Sequence, residues 1–212
     1  MPVYMSREEY MKVFETYVEE LGEGRPFDAV LKTDLWNESK ANLPDRGGIL
    51  AHVNAKSLFG IDIDHAVVET AVRIWPSVWR EMDGGGGWAQ PSAEFLEGDI
   101  RDLCFADNWF DLILDLSTID HIPLVDVPKT LDEYERVLVR GGTLYLSTWL
   151  VDRDHEVNDP IDGSELRQYC FPRNLFAPIL ESRFNLQDVR VLWTGPEDRA
   201  FVRFVATARG SE

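Results

Sequence analysis

Residues 95–122, FLEGDIRDLCFADNWFDLILDLSTIDHI, predict two strands that each lead into an acidic residue. The apolar run at residues 93–97 closes on Asp99, and Phe110–Leu116 alternates aliphatic residues with acids, of which Asp115 is the last. The second run is typical of a buried parallel strand. Ligands of open α/β sheets bind just beyond the carboxyl ends of the strands, so we expect Asp99 and Asp115 beside one crevice.

A third strand with an acidic end is predicted upstream. Residues 57–64, SLFGIDID, form an apolar run that closes on Asp62 and Asp64. A carboxylate at this place suits a ribose, because it accepts both hydrogen bonds of a vicinal diol. Acids often end strands for other reasons, so the repetition at three strand ends carries more weight than any one of them.

Four successive motifs, GIDID, FLEGDIRDL, FADNWFDLILDLSTIDHI and LDEYERVLVRGGTLYLSTW, resemble those of the class I S-adenosylmethionine (SAM)-dependent methyltransferases. The resemblance covers residues 27–149 in order. It implies a doubly wound, mostly parallel Rossmann-like α/β sheet with a C-terminal antiparallel hairpin, which agrees with strands that alternate with helices. It also implies SAM as cofactor, S-adenosylhomocysteine as product, and direct methyl transfer without a metal. We expect a small-molecule acceptor, although the fold does not decide its identity.

The resemblance also implies a set of cofactor-binding residues at the strand ends. They are Gly60, Asp62, Ile63, Asp99, Ile100, Asp115 and Ser117. Asp62 would hold the ribose hydroxyls and Asp99 the adenine amine, while the two isoleucines would enclose the base. The last two residues of the set would line the methionine end.

The loop after the first predicted strand, residues 27–35, departs from this family. The family has a glycine-rich turn there, at which the backbone approaches the cofactor closely, whereas this chain has TDLWNE at residues 33–38. Two explanations remain open. Asp34 and Asn37 hold the ammonium and Lys32 the carboxylate of the cofactor, or the site has decayed and binds something else or nothing. We favour the first, because the acids of the crevice remain in place.

His121 lies just after the strand that ends near Asp115. Histidine titrates near neutrality, so His121 beside a methyl donor could serve as a general base. A structural role is the alternative interpretation. His121 is therefore our candidate catalytic residue.

We expect one domain. Ser6 and Glu9 form a capping box that begins a helix within residues 1–26, which either covers the cofactor pocket as a lid or simply packs there. We expect residues 83–91 to be a flexible glycine-rich insertion and residues 150–172 to be a loop on the acceptor side.

Three further patterns predict the ends of secondary-structure elements. Asp64 is expected to cap a helix that Pro76 ends. The runs Phe184–Thr194 and 200–208, joined by a Gly-Pro-Glu-Asp turn, predict a β-hairpin.

Composition excludes several classes of partner. Lys and Arg number 21 against 38 Asp and Glu, which gives a net charge of −17 and argues against nucleic acid. No apolar run approaches a membrane span of about 20 residues, and the N-terminus lacks a signal-peptide core. Cys104 and Cys170 form neither a metal spacing nor a disulfide framework, so a cytoplasmic location is expected.

Two other functions stay open at this point. An aminopropyl transferase would use the same cofactor site with an acidic acceptor pocket, for which residues 152–162 are candidates. A non-catalytic domain that binds a ligand or a partner would explain the missing glycine turn.

Overall fold

The computed structural model describes residues 5–22, 26–40, 48–81, 90–161 and 166–209. The helices of this part of the chain are α1 (Arg7–Gly22), α2 (His65–Glu81), α3 (Val127–Val137) and α4 (Arg173–Glu181). The strands are β1 (Phe27–Lys32), β2 (Ala55–Asp62), β3 (Ser92–Glu97), β4 (Phe110–Leu116), β5 (Leu138–Val151), β6 (Val157–Pro160), β7 (Arg167–Pro172), β8 (Phe184–Thr194) and β9 (Arg199–Ala208). Short 3-10 turns lie at Ile49–His52, Ile119–His121 and Leu124–Asp126.

The strands form one twisted sheet whose central part is parallel. β3, β2, β1, β4 and β5 lie side by side in that order, all parallel. β9 pairs antiparallel with β5, and β8 pairs antiparallel with β9. The strand order reverses at β1, which has β2 on one side and β4 on the other. This topology confirms the predicted mostly parallel sheet with an antiparallel C-terminal hairpin, and it places a ligand crevice at β1.

Helices cover both faces of the sheet, because the central strands are apolar on both sides. Val30 of β1 packs into one core with α1 and α2, and its neighbour Leu31 packs into the other with α3 and α4. Successive side chains of a strand point to opposite faces, so one strand supplies both cores. Both residues are completely buried.

Several local predictions are confirmed. Ser6 and Glu9 form the reciprocal capping box at the start of α1, with the Glu9 N–H donating to Ser6 Oγ and the Ser6 N–H to Glu9 Oε2. The Asp64 carboxylate accepts from the Ala66 N–H at 2.8 Å and caps α2. The turn between β8 and β9 closes through a hydrogen bond from the Gly195 N–H to the Arg199 carbonyl.

The prediction that Pro76 ends its helix is wrong, since α2 continues to residue 81. Proline removes one backbone hydrogen bond, but Trp75, Val78 and Trp79 on both sides of it are buried in the first core. Trp75 also packs edge-on against Phe95 of β3. Tertiary packing of this apolar face therefore outweighs the local cost of the proline.

Residues 150–172 contain secondary structure that the sequence analysis treated as a loop. β6 and β7 pair antiparallel there. β7 also pairs in parallel with the last residues of β5, Leu150 and Val151. β6 is only four residues long and half exposed, so its apolar pattern is too short to detect. Of the predicted insertion at residues 83–91, only residues 90 and 91 are among those described.

The described residues contain neither a candidate membrane-spanning helix nor a candidate metal site. None of the helices in this part of the chain has the length and apolar character needed to cross a membrane. No three His, Cys, Asp or Glu side chains within the described ranges are arranged so that they could hold a metal ion.

Candidate active site

The carboxyl ends of β1, β2, β3 and β4 meet at one edge of the sheet. Lys32, the last residue of β1, is level with Gly60 of β2 and Leu114 of β4. Asp62 is level with Glu97 of β3. The residues that follow these positions therefore surround the crevice beyond β1.

Asp62 holds the loop after β1, which we call the first loop (residues 33–40). Its Oδ2 accepts from the Leu35 N–H at 2.9 Å and its Oδ1 from the Asp64 N–H at 2.9 Å. Each oxygen keeps a second lone pair. Burial raises the pKa of Asp62, and these two backbone donors act against that effect. The free lone pairs suit the two hydroxyls of a ribose.

Gly60 supports the first loop by its lack of a side chain. A Cβ at Gly60 would lie 2.4 Å from Leu35 Cδ2 and 2.9 Å from Phe95 Cδ1. Leu35 itself is completely buried. Gly60 therefore lets the first loop pack onto β2, and its predicted contribution to cofactor binding is indirect in this arrangement.

Lys32 is buried beneath the first loop and is bound by two carboxylates. Its Nζ lies 2.7 Å from Asp34 Oδ2 and 3.1 Å from Glu38 Oε2, and only 1% of its side chain is exposed. Burial disfavours the charge of Lys32, but Asp34 and Glu38 outweigh that effect and raise its pKa. The predicted contact of Lys32 with the cofactor carboxylate remains a prediction, and the structure shows its ammonium inside this ion cluster.

Glu38 is a buried acid of the first loop that the sequence analysis did not consider. Burial raises its pKa to about 7 despite the neighbouring Lys32. Gly48 makes room for it, because a Cβ at Gly48 would lie only 2.2 Å from Glu38 Oε1. Gly48 also has a positive φ of 62°, which favours glycine. Gly48 therefore provides the space that the buried Glu38 side chain needs.

Asn37 connects the first loop to α1 and faces the pocket. Its Nδ2 donates to the Tyr10 hydroxyl at 2.6 Å. Its Oδ1 is buried and has no hydrogen-bond partner among the described residues. An unpartnered buried oxygen suits a cationic donor, so Asn37 fits the predicted contact with the cofactor ammonium.

The predicted adenine side is organised by an arginine. Arg101 binds Asp99 through Nε and Nη2, at 2.9 and 2.6 Å, and reaches Asp126 with Nη1 at 2.8 Å. The hydrogen bonds from Arg101 lower the pKa of Asp99, which stays anionic. Ile63 is 68% exposed whereas Ile100 is buried in the second core, so only Ile63 offers an open apolar face.

Asp115 lies beneath the crevice and does not line it, which corrects the expectation from the resemblance. It is completely buried. Its Oδ1 accepts from the backbone N–H groups of Thr118 and Ile119, and its Oδ2 from the Tyr134 hydroxyl at 2.7 Å. Burial raises its pKa to about 6. Asp115 therefore fixes the turn after β4 from the inside.

Ser117, at the end of β4, reaches the pocket from this turn. It has a positive φ of 70°, an uncommon conformation for a residue with a side chain. Such conformations persist where the surrounding structure holds them, often at functional sites. Its Oγ donates to Asp120 Oδ2 at 2.8 Å. Ser117 is thus held in place from both its backbone and its side chain.

A pocket lies between this turn, the first loop and α1. It is lined by Lys32, Asn37, Ser117 and Phe201, and α1 covers it. The residues that α1 contributes are Tyr10, Val13, Phe14 and Tyr17. Leu116 and Ile49 complete an apolar lining. The regular apolar spacing along α1 was visible in the sequence, but the part of that face that lines a pocket was not.

α1 is fixed at both ends against the C-terminal strands. Near its start, Trp193 of β8 donates to Glu9 Oε1 at 2.8 Å. Near its end, Glu20 binds Arg190 at 3.1 Å and Arg203 at 3.3 Å. The sequence left two roles open for this helix, a lid over the pocket or a helix that simply packs there. These anchors favour a helix that is fixed in place and covers the pocket.

His121 lies at the edge of the site. Its Nδ1 is 2.8 Å from the Arg167 carbonyl oxygen of β7, and 28% of its side chain is exposed. It does not belong to the residues that line the pocket. A direct role as base toward a molecule in the pocket therefore stays a prediction that this geometry does not favour.

Comparisons with known proteins agree with this geometry. Residues 46–146 match the family model of a methyltransferase domain. A search of curated protein sequences found no match.

Solved structures share the fold over nearly the whole chain. A SAM-dependent methyltransferase from Methanosarcina mazei is 18% identical, with 92% of this chain and 96% of that chain covered and a TM-score of 0.64. The N-methyltransferase NodS from Bradyrhizobium japonicum, in complex with S-adenosylhomocysteine, is 14% identical, with 93% and 87% covered and a TM-score of 0.61. A geranyl diphosphate methyltransferase in complex with GPP and sinefungin is 15% identical, with 94% and 78% covered and a TM-score of 0.63.

The residues of the crevice fit SAM. The lone pairs of Asp62 suit its ribose, and the unpartnered Oδ1 of Asn37 suits its ammonium. Residues 46–146, which match the model of a methyltransferase domain, and the strand order give this chain the fold of the class I SAM-dependent methyltransferases, and its crevice suits SAM as cofactor and S-adenosylhomocysteine as product.

Proposed function

We propose that this enzyme methylates a small-molecule acceptor that binds in the pocket beneath α1. The observation that carries the proposal is the lining of this pocket, in which apolar and aromatic side chains surround a few polar groups. Small-molecule sites have this composition. The polar groups, Asn37 and Ser117, come from the first loop and from the turn after β4, beside which the methionine end of the cofactor would lie.

Binding and orientation account for the roles of the residues in this reaction. SAM supplies a methyl group on a sulfonium, which a nucleophile can displace directly. Asp62 would bind the ribose and Asn37 the ammonium, which orients the sulfonium toward the pocket. Phe14, Tyr17 and Phe201 would exclude water from the reacting atoms. Positioning and desolvation of this kind can supply most of the rate of a displacement.

Two observations support a small acceptor over a macromolecule. The net charge of −17 disfavours the phosphates of nucleic acids. One of the similar structures is a geranyl diphosphate methyltransferase, which by its name acts on a small molecule. We also infer a cytoplasmic location, because Cys104 and Cys170 are both free thiols.

Calorimetry with SAM and with S-adenosylhomocysteine tests cofactor binding. Both should bind saturably, and Asp62→Ala should weaken each by about 1.5–3 kcal/mol per hydrogen bond lost to the charged group. Glu94→Gln, a change at an exposed acid of β3, is the matched control and should bind normally. Absence of binding at millimolar ligand, or an unchanged affinity in folded Asp62→Ala, would contradict the cofactor assignments.

A screen of small alcohols, phenols, amines and isoprenoid diphosphates with mass detection tests the acceptor. Methylated product should form only with SAM and intact enzyme. If the enzyme methylates peptides or nucleic acids and none of the small molecules, the small-molecule proposal is wrong.

A further inference from the structure

Asp120 is a buried acid next to the pocket, and it has no role in the methyl transfer proposed for this enzyme. It is completely buried, at the centre of the turn Ile119–His121. Its Oδ2 accepts from the hydroxyl of Ser117, which lines the pocket. Its Oδ1 makes no direct hydrogen bond to the described residues. An acid with one oxygen on a pocket hydroxyl and the other unpaired is poised to take up a proton.

His121 lies on the other side of this carboxyl. A carbonyl oxygen can only accept, so the 2.8 Å contact with the Arg167 carbonyl requires the proton of the neutral ring to be on Nδ1. Nε2 then carries a lone pair, and it lies 3.8 Å from Asp120 Oδ1. His121 is partly exposed, so this approach, which is longer than a hydrogen bond, leads from the buried carboxyl toward solvent.

We propose that Ser117, Asp120 and His121 form a proton relay that removes the proton of the acceptor during methyl transfer. Ser117 is the catalytic residue that touches the acceptor, and Asp120 acts through it as a positioning residue and proton store. The proposal rests on the proposed methylation of a small molecule and adds that its nucleophile is a hydroxyl or amine that must lose a proton.

The step balances in atoms and charge. The acceptor oxygen or nitrogen forms a bond to the methyl carbon, and the electron pair of the breaking C–S bond goes to sulfur. The proton of the acceptor passes to Ser117 Oγ while the proton of Ser117 passes to Asp120 Oδ2. The sulfonium and the carboxylate both become neutral, and Asp120 then releases its proton to solvent by way of His121.

The groups around Asp120 place its pKa near neutrality. Burial raises the pKa of Asp120 to about 7, although His121, when protonated, and the Ser117 hydroxyl favour the charged form of Asp120. Asp115 below the turn raises it, and the Trp149 backbone N–H of β5 lowers it. Burial raises the pKa of Tyr17 on α1, and the charge of Asp120 raises it further. Gln168 of β7 donates to the Ser117 hydroxyl at 3.5 Å.

Carbon-13 NMR of enzyme labelled at the aspartate carboxyl carbons, saturated with S-adenosylhomocysteine, tests the store directly. The resonance that disappears in Asp120→Asn should titrate with a midpoint of about 7. Asp102→Asn, at an exposed aspartate, should leave that resonance unchanged. An Asp120 that stays ionised below about pH 5 would overturn the relay.

Methylation of two probes separates the relay from a purely structural role. Phenol must lose a proton during transfer, whereas thiophenol is already ionised. Asp120→Asn and Ser117→Ala should each slow phenol methylation by about 100-fold or more, which is typical of general base catalysis, and thiophenol methylation by less than about threefold. Equal losses for both probes would show that these residues act only through the fold.

The pH profile gives a second readout. In the native enzyme, phenol methylation should rise through about pH 7 and then level off, because the ionised Asp120 is the active form. In Asp120→Asn, the rate should follow the phenolate concentration, about tenfold for each pH unit.

Cooperative urea unfolding of each variant shows that it is folded, and Ser117→Ala keeps the test if Asp120→Asn fails to fold. If S-adenosylhomocysteine binds and neither probe is methylated, the relay is overturned for phenol acceptors, whereas the screen of acceptors decides the small-molecule proposal.

Discussion

Replacing Lys32 with methionine should destabilise the protein strongly at about pH 8 and much less at about pH 5. Methionine fills most of the volume of the lysine but removes the cation between Asp34 and Glu38. At high pH this leaves the Glu38 carboxylate, which is completely buried, without a counter-charge. Asp34 is 22% exposed, so water compensates for part of its loss.

The size of the effect follows from the burial of Glu38. Removing one partner of a buried ion pair costs about 3–5 kcal/mol, which lowers the Tm of a chain of this size by roughly 6–20 °C. Burial raises the pKa of Glu38 to about 7 in the fold, against 4.5 for a free glutamate, and Lys32 acts against this rise. A raised pKa means that stability falls as pH rises from about 4.5 to about 7, and the loss of Lys32 moves the upper limit higher.

Urea unfolding at about pH 5 and 8 measures the difference. Lys129→Met, at an exposed lysine of α3, is the matched control and should change stability little at either pH. Lys32→Met combined with Glu38→Gln should recover most of the loss, since no unpaired charge remains. A loss that is equal at both pH values, or that the double variant does not reduce, would refute the reasoning.

Two other changes test the supports of the site. Gly48→Ala should cost about 1–3 kcal/mol in urea unfolding and more than Gly141→Ala, because both glycines have positive φ but only the new Cβ at Gly48 meets Glu38. Tyr134→Phe should cost about 1–3 kcal/mol, and more at about pH 8 than at pH 5, because it removes a donor to the buried Asp115 carboxylate. The pKa of Asp115 is already raised, so without this donor its stabilising proton should persist to higher pH. Equal losses for the two glycines, or a pH-independent loss for Tyr134→Phe, would contradict these assignments.

Much of the sheet could be predicted from the sequence, because strand patterns are local. Phe110–Leu116 and Phe184–Thr194 have the predicted bounds. Alternating or continuous apolar runs of this length are informative by themselves. The strand β6 was missed, since a four-residue exposed strand has no such pattern. Pro76 misled the prediction because its local cost is offset by distant packing partners.

The site was less predictable, because its polar groups are defined by contacts that are distant in sequence or buried. The sequence brought Asp62, Asp99 and Ser117 to the correct edge of the sheet. It could not show that Asp115 is enclosed by Tyr134, nor that Asp120 lies behind Ser117. A buried acid binds neighbouring groups of the protein, whereas an exposed acid in the crevice can bind a ligand. The pattern of residue types does not show which acids are buried.

The ion cluster beneath the first loop constrains how this enzyme can evolve. Lys32 needs a buried anion, Glu38 needs the space above Gly48, and Gly48 is strained for any other residue. A return to the family's glycine-rich turn by single steps would pass through a chain with an unpaired buried charge or an overlapping side chain. Positions 32, 38 and 48 should therefore change together among descendants of this protein. Selection on activity alone cannot easily restore a glycine-rich turn, because each single substitution on the way would destabilise the fold.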